Sequence, residues 1–332
     1  MSDVLEISDL SVTLDQGAAR PILDGVSLTV AAGDFVALVG ESGSGKSVTS
    51  RAALGLWPGQ ATVSGSVRSC GVEMVGASAS DLDRVRRGQV GMVFQDPRAG
   101  INPVRRIGDF LTEGPQLALG WSAERANARA LELLEAVSLP DPKRHLRQYP
   151  HELSGGMLQR VMIASALMTQ PALLLCDEAT TALDVTTQAE IVGILTTLCV
   201  DLGTAVLFVT HDLDLAAATC DRIAVMYAGQ VVESGRAEDL FEDPHHPYTV
   251  GLLDSRPPLG GLAPDTDLQA IPGTPLSLAE SPAGCRFATR CQARTPQCET
   301  RPGLLADGVQ RLVRCWHPSG STPASTPSGA RS

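Results

Sequence analysis

Between residues 4 and 40, apolar and polar positions alternate in short runs, VLEISDLSVTL, VSLTV and DFVALVG, each bounded by Gly or Asp turn signals. The pattern predicts strands. After Gly45 the spacing changes, and KSVTSRAALGLW sets Val48, Ala52 and Leu56 on one face of a helix. From about 105 to 170 helical periodicity dominates: ERANARALELLEAVSL gathers Ala130, Leu133, Leu134 and Val137 on one side with charges opposite. Two apolar runs follow, PALLLC at 171–176 and TAVLFVT at 204–210, separated by the helix-like TTQAEIVGILTTLCVDLG. Strand, helix, strand in that order predicts a parallel βαβ unit and an α/β class. Beyond Gly235 the chain turns rich in Pro and Gly and reads as a separate C-terminal extension, 236–318, after a main domain at 1–235. The last stretch, SGSTPASTPSGARS at 319–332, predicts disorder.

Composition narrows the possibilities. A chain of 332 residues with 43% hydrophobic content can bury a sizeable core. The N-terminal MSDVLEISDLSVTLDQG lacks the basic start and unbroken apolar stretch of a signal peptide, and no apolar run approaches the roughly 18 residues that span a bilayer. The expectation is a cytosolic protein whose eight cysteines stay reduced and serve as core residues, ligands or nucleophiles. A net charge of −11 argues against a nucleic-acid partner and against polybasic attachment to lipid. Of 26 basic residues only Lys46 and Lys143 are lysines, so each lysine position carries information.

Lys46 falls in GESGSGKS, residues Gly40, Glu41, Ser42, Gly43, Ser44, Gly45, Lys46 and Ser47, between the apolar strand FVALV and a helix beginning near Val48. That is the setting a GxxxxGK[ST] phosphate loop requires: glycines let backbone N–H groups turn inward, and the helix start adds a positive dipole end. Lys46 would meet the β/γ-phosphate oxygens and the Ser47 hydroxyl would ligate Mg²⁺. In LLLCDE a buried strand ends in two carboxylates, where an α/β sheet binds its ligands. Asp177 is expected to hold Mg²⁺ and Glu178 to polarise the attacking water. In LSGGMLQR, Ser154, Gly155 and Gly156 open a helix and offer a hydroxyl and bare N–H groups to a second phosphate site. One chain cannot readily bring both sites to one nucleotide; two chains packed head to tail can.

With these motifs the sequence resembles the ATP-binding subunits of ABC transporters over nearly its whole length. GESGSGKS looks like their Walker A, LLLCDE their Walker B with Glu178 as catalytic carboxylate, and LSGGM their signature; VFQDP supplies the Q-loop Gln95, TALD the D-loop Asp184 and VTHD the switch His211. The resemblance implies a P-loop fold with a parallel sheet core, an antiparallel β subdomain and a helical subdomain at about 100–170. It also implies an ATP-driven dimer in which Gln95 contacts Mg²⁺ and the attacking water, and His211 the γ-phosphate. Where the family usually stacks adenine on an aromatic residue, SVTL here puts Leu14, and the loss of a π face predicts a looser preference for ATP over GTP.

The extension narrows the family. QDPRAGINPVRRIG, DEATTALDVTTQAEI, MYAGQVVESG, HHPYTVGLLDSRP and IPGTPLSL resemble the ATPase subunits of dipeptide and oligopeptide importers, a group that also serves nickel and metallophore uptake. GCRFATRC with two later cysteines looks like the D-type subunit, which works beside an F-type ATPase, two transmembrane permease subunits and an extracellular or periplasmic substrate-binding protein. The implied location is the cytoplasmic face of the membrane. Cys285, Cys291, Cys298 and Cys315 are spaced C-x5-C-x6-C-x16-C, which matches neither zinc ribbons nor the bacterial ferredoxin run. Four thiolates can enclose a [4Fe–4S] cluster or a tetrahedral Zn²⁺, or remain as packed thiols; the resemblance favours the cluster. Arg286, Arg290 and Arg294 are expected to be solvated surface arginines, with donation to an anionic cluster as the alternative. Cys176 is expected in the core, and His245–His246 in a structural turn, with metal binding as the alternative. Two readings of other classes compete: a soluble ABC ATPase of DNA repair or translation, whose usual second cassette or coiled-coil insertion is missing, and an iron–sulfur sensor, which the full hydrolytic set disfavours.

Overall fold

A computed structural model describes residues 3–15, 20–179, 185–256, 270–276, 282–307 and 310–319. Asp184 lies outside them, as does the predicted disordered tail apart from Ser319. The N-terminal alternation forms β1 (Asp3–Leu14) and β2 (Arg20–Ala31), which pair antiparallel. One face of the pair buries Leu5, Ile7, Leu10 and Val12 against Leu23, Val26, Leu28 and Val30. The step from Ile7 to Leu10 breaks the two-residue period at a bulge, where Asp9 takes φ +48°. β3 (Phe35–Val39) is buried along its entire length, as a central parallel strand must be.

After β3 come α1 (Lys46–Ala52), β4 (Ala61–Ser69), β5 (Val72–Glu73), α2 (Ala79–Gly88) and β6 (Val90–Val93). Strands β2, β1, β4 and β5 make a four-stranded antiparallel sheet. The helical stretch comprises α3 (Ile107–Leu119), α4 (Ala123–Ala136), α5 (Pro142–His145) and α6 (Gly155–Leu167). Ser122 caps α4 by accepting from the Arg125 N–H at 3.2 Å, and Ala130, Leu133, Leu134 and Val137 are all buried.

β7 (Leu173–Asp177), α7 (Val185–Leu202) and β8 (Ala205–Thr210) form the predicted βαβ unit, with Leu173 opposite Ala205 in parallel register. After α8 (Leu213–Thr219), β9 (Arg222–Tyr227) joins β3 in parallel and turns back into β10 (Gln230–Arg236).

The chain beyond β10 returns to the same sheet. α9 (Ala237–Glu242) and α10 (Pro247–Asp254) precede the short strands β11 (Leu305–Ala306) and β12 (Leu312–Val313), and β12 pairs with β10. The larger sheet therefore runs β11-β12-β10-β9-β3-β8-β7-β6. Phe287 reaches into the core, its ring edge-on to Tyr227 at 5.2 Å and beside Tyr248 at 5.4 Å. His246 caps α10 by accepting from the Tyr248 N–H through Nδ1, and buried Glu233 accepts from the N–H groups of His245 and His246. The histidine pair thus shapes a turn, as expected. Among the described residues no helix is long and apolar enough to cross a membrane.

Candidate nucleotide site

Parallel register brings the predicted residues to one edge of the sheet. Val39 is level with Thr210, Asp177 with Val209, and Val93 with Cys176, so the loops after β3, β6, β7 and β8 emerge side by side. The loop after β3 can pass there only as glycine at two points. Gly40 has φ +146°, and a Cβ on it would stand 2.1 Å from the Met226 carbonyl oxygen; Gly45 has φ +104°, and its Cβ would meet Leu23 at 2.6 Å.

Lys46 is buried, and its ammonium donates to the carbonyl oxygens of Gly40 and Glu41 at 2.8 and 3.0 Å. Burial lowers its pKa from the usual lysine value, against the opposing pull of the Glu178, Asp177 and Glu41 carboxylates. The Ser47 hydroxyl donates to Asp177 Oδ1 at 2.7 Å, while Arg51 pairs with Oδ2 at 3.1 Å. Two hard oxygen donors side by side are the kind of set Mg²⁺ takes. Glu178 turns off the end of β7 in the left-handed region, φ +50°, which is uncommon for a side chain of its size. That turn sets its carboxylate 4.0 Å from Lys46 and within hydrogen-bond reach of Gln95 Nε2, at 3.1 Å.

These groups surround a cavity of about 370 Å³, with Gly43, Lys46 and Ser47 on one side and Gln95 and Glu178 on the other. An adjoining cavity of about 330 Å³ shares Ile22, Ser42 and Gly43 and is lined further by Leu14, Pro275 and Leu276. His211 follows directly on β8 at the same sheet edge and is exposed, but it does not line the first cavity. Nor do Ser154, Gly155 and Gly156. Ser154 caps α6 by accepting from the Met157 N–H, and a side chain on Gly155 would point into open space. A larger cavity, about 900 Å³, opens at the far end of the strands beside Asp34, Arg222 and Arg236, and holds none of the predicted residues.

The four C-terminal cysteines converge: Cys285, Cys291, Cys298 and Cys315 line one small cavity together with His246, Phe287 and Trp316. Desolvation raises the thiol pKa of Cys285 and Cys291, and that of Cys315 to about 11. Among the described residues, no group of three or more His, Cys, Asp and Glu side chains is placed to hold a metal ion. The arginines beside these cysteines correct the expectation of solvated surface groups. Arg286 and Arg290 are buried: Arg286 pairs with Asp24 at 2.7 Å and donates to the Ala228 carbonyl, and Arg290 forks onto Glu41 at 2.8 and 3.1 Å. Only Arg294 is exposed as expected. Cys176 lies in the core, as predicted.

Residues 23–181 match the family model described as ABC transporter, and residues 232–298 match that described as oligopeptide/dipeptide transporter, C-terminal region. The chain is 42% identical over 318 residues to the oligopeptide transport ATP-binding protein OppD of Haemophilus influenzae, covering 95% of this chain and 98% of the relative. The chain belongs to the ATP-binding subunits of the oligopeptide/dipeptide ABC importer family. A further relative is the probable D,D-dipeptide transport ATP-binding protein DdpD of Escherichia coli, 44% identical over 300 residues, with 89% and 90% of the two chains covered. Among solved structures, the ATP-binding cassette MJ0796 bound to ADP and Pi in a post-hydrolysis state matches with a TM-score of 0.61 at 30% identity, over 70% of this chain and 98% of that one. This importer subunit is accordingly an ATPase whose hydrolysis is coupled to transport. Sequence reasoning missed three residues at its site: Arg51 on Asp177, Tyr248, whose Oη accepts from the Glu41 N–H at 3.0 Å, and Arg290 on Glu41. Each partnership spans more than a hundred residues, and no local spacing announces it.

Proposed function

We propose that this chain energises peptide import from the cytoplasmic face of the membrane, docked beneath two permease subunits and paired with a second, F-type ATPase subunit, with a substrate-binding protein supplying cargo. The observation that carries the reading is the separation of two phosphate-binding elements. Lys46, Ser47, Gln95 and Glu178 share one cavity, while Ser154, Gly155 and Gly156 do not line it, which leaves the signature to complete the partner's site. Head-to-tail pairing then closes two nucleotides between chains.

In this arrangement the residues from Gly40 to Val48 cradle the phosphates through backbone N–H groups, and Lys46 neutralises the β/γ oxygens. Ser47, Asp177 and Gln95 would hold Mg²⁺, which when bound offsets the charge of the phosphate oxygens. Glu178 accepts the proton of the attacking water, Gln95 orients that water, and His211 contacts the γ-phosphate. Glu178→Gln is expected to bind ATP as wild type does and to lose turnover by about 10²-fold or more, the usual contribution of a general base. Steady-state phosphate release beside equilibrium ATP binding tests it, and wild-type turnover in the variant would remove Glu178 from this role.

We read the cysteine quartet as the ligand set of a [4Fe–4S] centre. Four thiols lining one cavity are the ligand number that either a [4Fe–4S] centre or Zn²⁺ takes, and the family resemblance favours the cluster. Bound there, the centre would supply covalent staples for a segment rich in Pro and Gly. The same role in nickel or metallophore uptake is the second reading, since cargo is chosen by subunits other than this one.

A further inference from the structure

The segment from Cys285 to Cys291 sends two guanidinium groups into the nucleotide-binding half of the molecule. Arg286 follows the first cysteine and holds Asp24 and the carbonyl of Ala228. Arg290 precedes the second and has its donors divided. Nε donates to the Pro272 carbonyl at 2.9 Å, and Nη1 and Nη2 reach the two carboxylate oxygens of Glu41 at 2.8 and 3.1 Å. Arg290 is buried and Glu41 only partly exposed, so Arg290 cannot turn to water without giving up charge-assisted bonds.

Glu41 is the second residue of the phosphate loop, and every polar group it has is engaged. Its N–H donates to Tyr248 Oη, its carbonyl accepts from Lys46 Nζ, and its carboxylate takes the Arg290 fork. A carboxylate at this point also stands among the negative charges of the site. Asp177 and Glu178 are close enough to act on Lys46 together with Glu41. Left unbalanced, Glu41 would oppose a polyphosphate entering the same cavity.

We propose that Arg290 is a positioning and charge-balancing residue of the ATPase site: it fixes Glu41, and through it the phosphate loop and the reach of Lys46, and it cancels the Glu41 charge beside the phosphates. Because Arg290 adjoins Cys291, the geometry of the phosphate loop is tied to the cysteine segment. The inference rests on the reading of residues 40–48 as the phosphate-binding loop, and the test separates the two.

The measurement is the equilibrium Kd for ATP, by calorimetry on the full chain in EDTA so that nothing is hydrolysed, with iron content and melting temperature recorded for each variant. Lys46→Ala is expected to abolish binding; wild-type affinity in that variant would overturn the reading of the loop itself. Arg290→Gln is expected to raise Kd about tenfold through the uncovered carboxylate. Arg290→Gln combined with Glu41→Gln is expected to return within about threefold of wild type, because both charges are gone. Wild-type affinity in the single variant overturns the inference, and so does a double variant as weak as the single one, since a residue that only staples the segment cannot be rescued from Glu41. Arg290→Lys keeps the charge but loses the fork, and its Kd should fall between those of wild type and Arg290→Gln. Should the Gln variant fail to fold, a Lys variant as weak as Lys46→Ala overturns the inference in its place.

Discussion

Leu14 stands where an aromatic side chain is usual in this family, on the wall of the cavity that adjoins the phosphate loop. If phosphates occupy the first cavity, the base falls in the second, between Leu14 and the Pro275–Leu276 stretch of the extension. A branched aliphatic side chain offers contact but no π face. Leu14→Tyr is therefore expected to tighten ATP by about 0.5–1.5 kcal/mol, roughly two- to tenfold in Kd. Parallel titrations with ATP and GTP check the idea, and a wild-type chain that already strongly prefers ATP would shift the base-selecting role to other residues. Lys46, Ser47, Asp177 and Glu178 were legible in the sequence because their chemistry depends on neighbours within a few positions and on one flanking strand. Arg290 was not: its partner lies 249 residues away, and an arginine in a Pro-rich segment looks like any solvated charge.

The same contrast holds for elements. β3, β7 and β8 were readable because burial on both faces demands continuous apolar runs. β4 is buried at only two of its nine positions and β6 is only four residues long, so neither produces a period that stands out from loop sequence. The turn into α10 carries a pH dependence of its own. Burial depresses the His245 pKa, but hydrogen bonds to Asp307 at 2.7 Å and Asp243 at 3.0 Å outweigh it and raise it from the ordinary histidine value. A group whose pKa is higher folded than unfolded stabilises fully below its unfolded value, about 6.5, and loses that contribution as pH rises through the folded value. The melting temperature of His245→Gln should therefore fall further below wild type at pH 5.5 than at pH 8. An equal gap at both pH values would show that His245 contributes packing alone.

At the scale of the molecule, the extension is built into the cassette: β12 and β11 extend the large sheet beyond β10, Phe287 packs into the core, and two arginines grip the nucleotide-binding half. The composition shift at Gly235 signalled a change of chain character, but a Pro- and Gly-rich sequence cannot report that its few apolar residues pack into a neighbour's core. The cysteine spacing pointed to a shared site without saying what the site adjoins. On the cluster reading, protein purified without oxygen should carry about four irons per chain. Cys291→Ser is expected to lose them and to open residues 285–315 to limited proteolysis while the parallel sheet stays folded. Unchanged iron would remove Cys291 from the ligand set.

The scarcity of lysine has a practical side. Lys46 is buried beneath the phosphate loop, so Lys143, exposed on α5 in the helical layer, is the one lysine side chain an amine-directed dye can reach. A fluorophore placed there without any engineered residue would mark the helical layer alone among the side chains of the native chain.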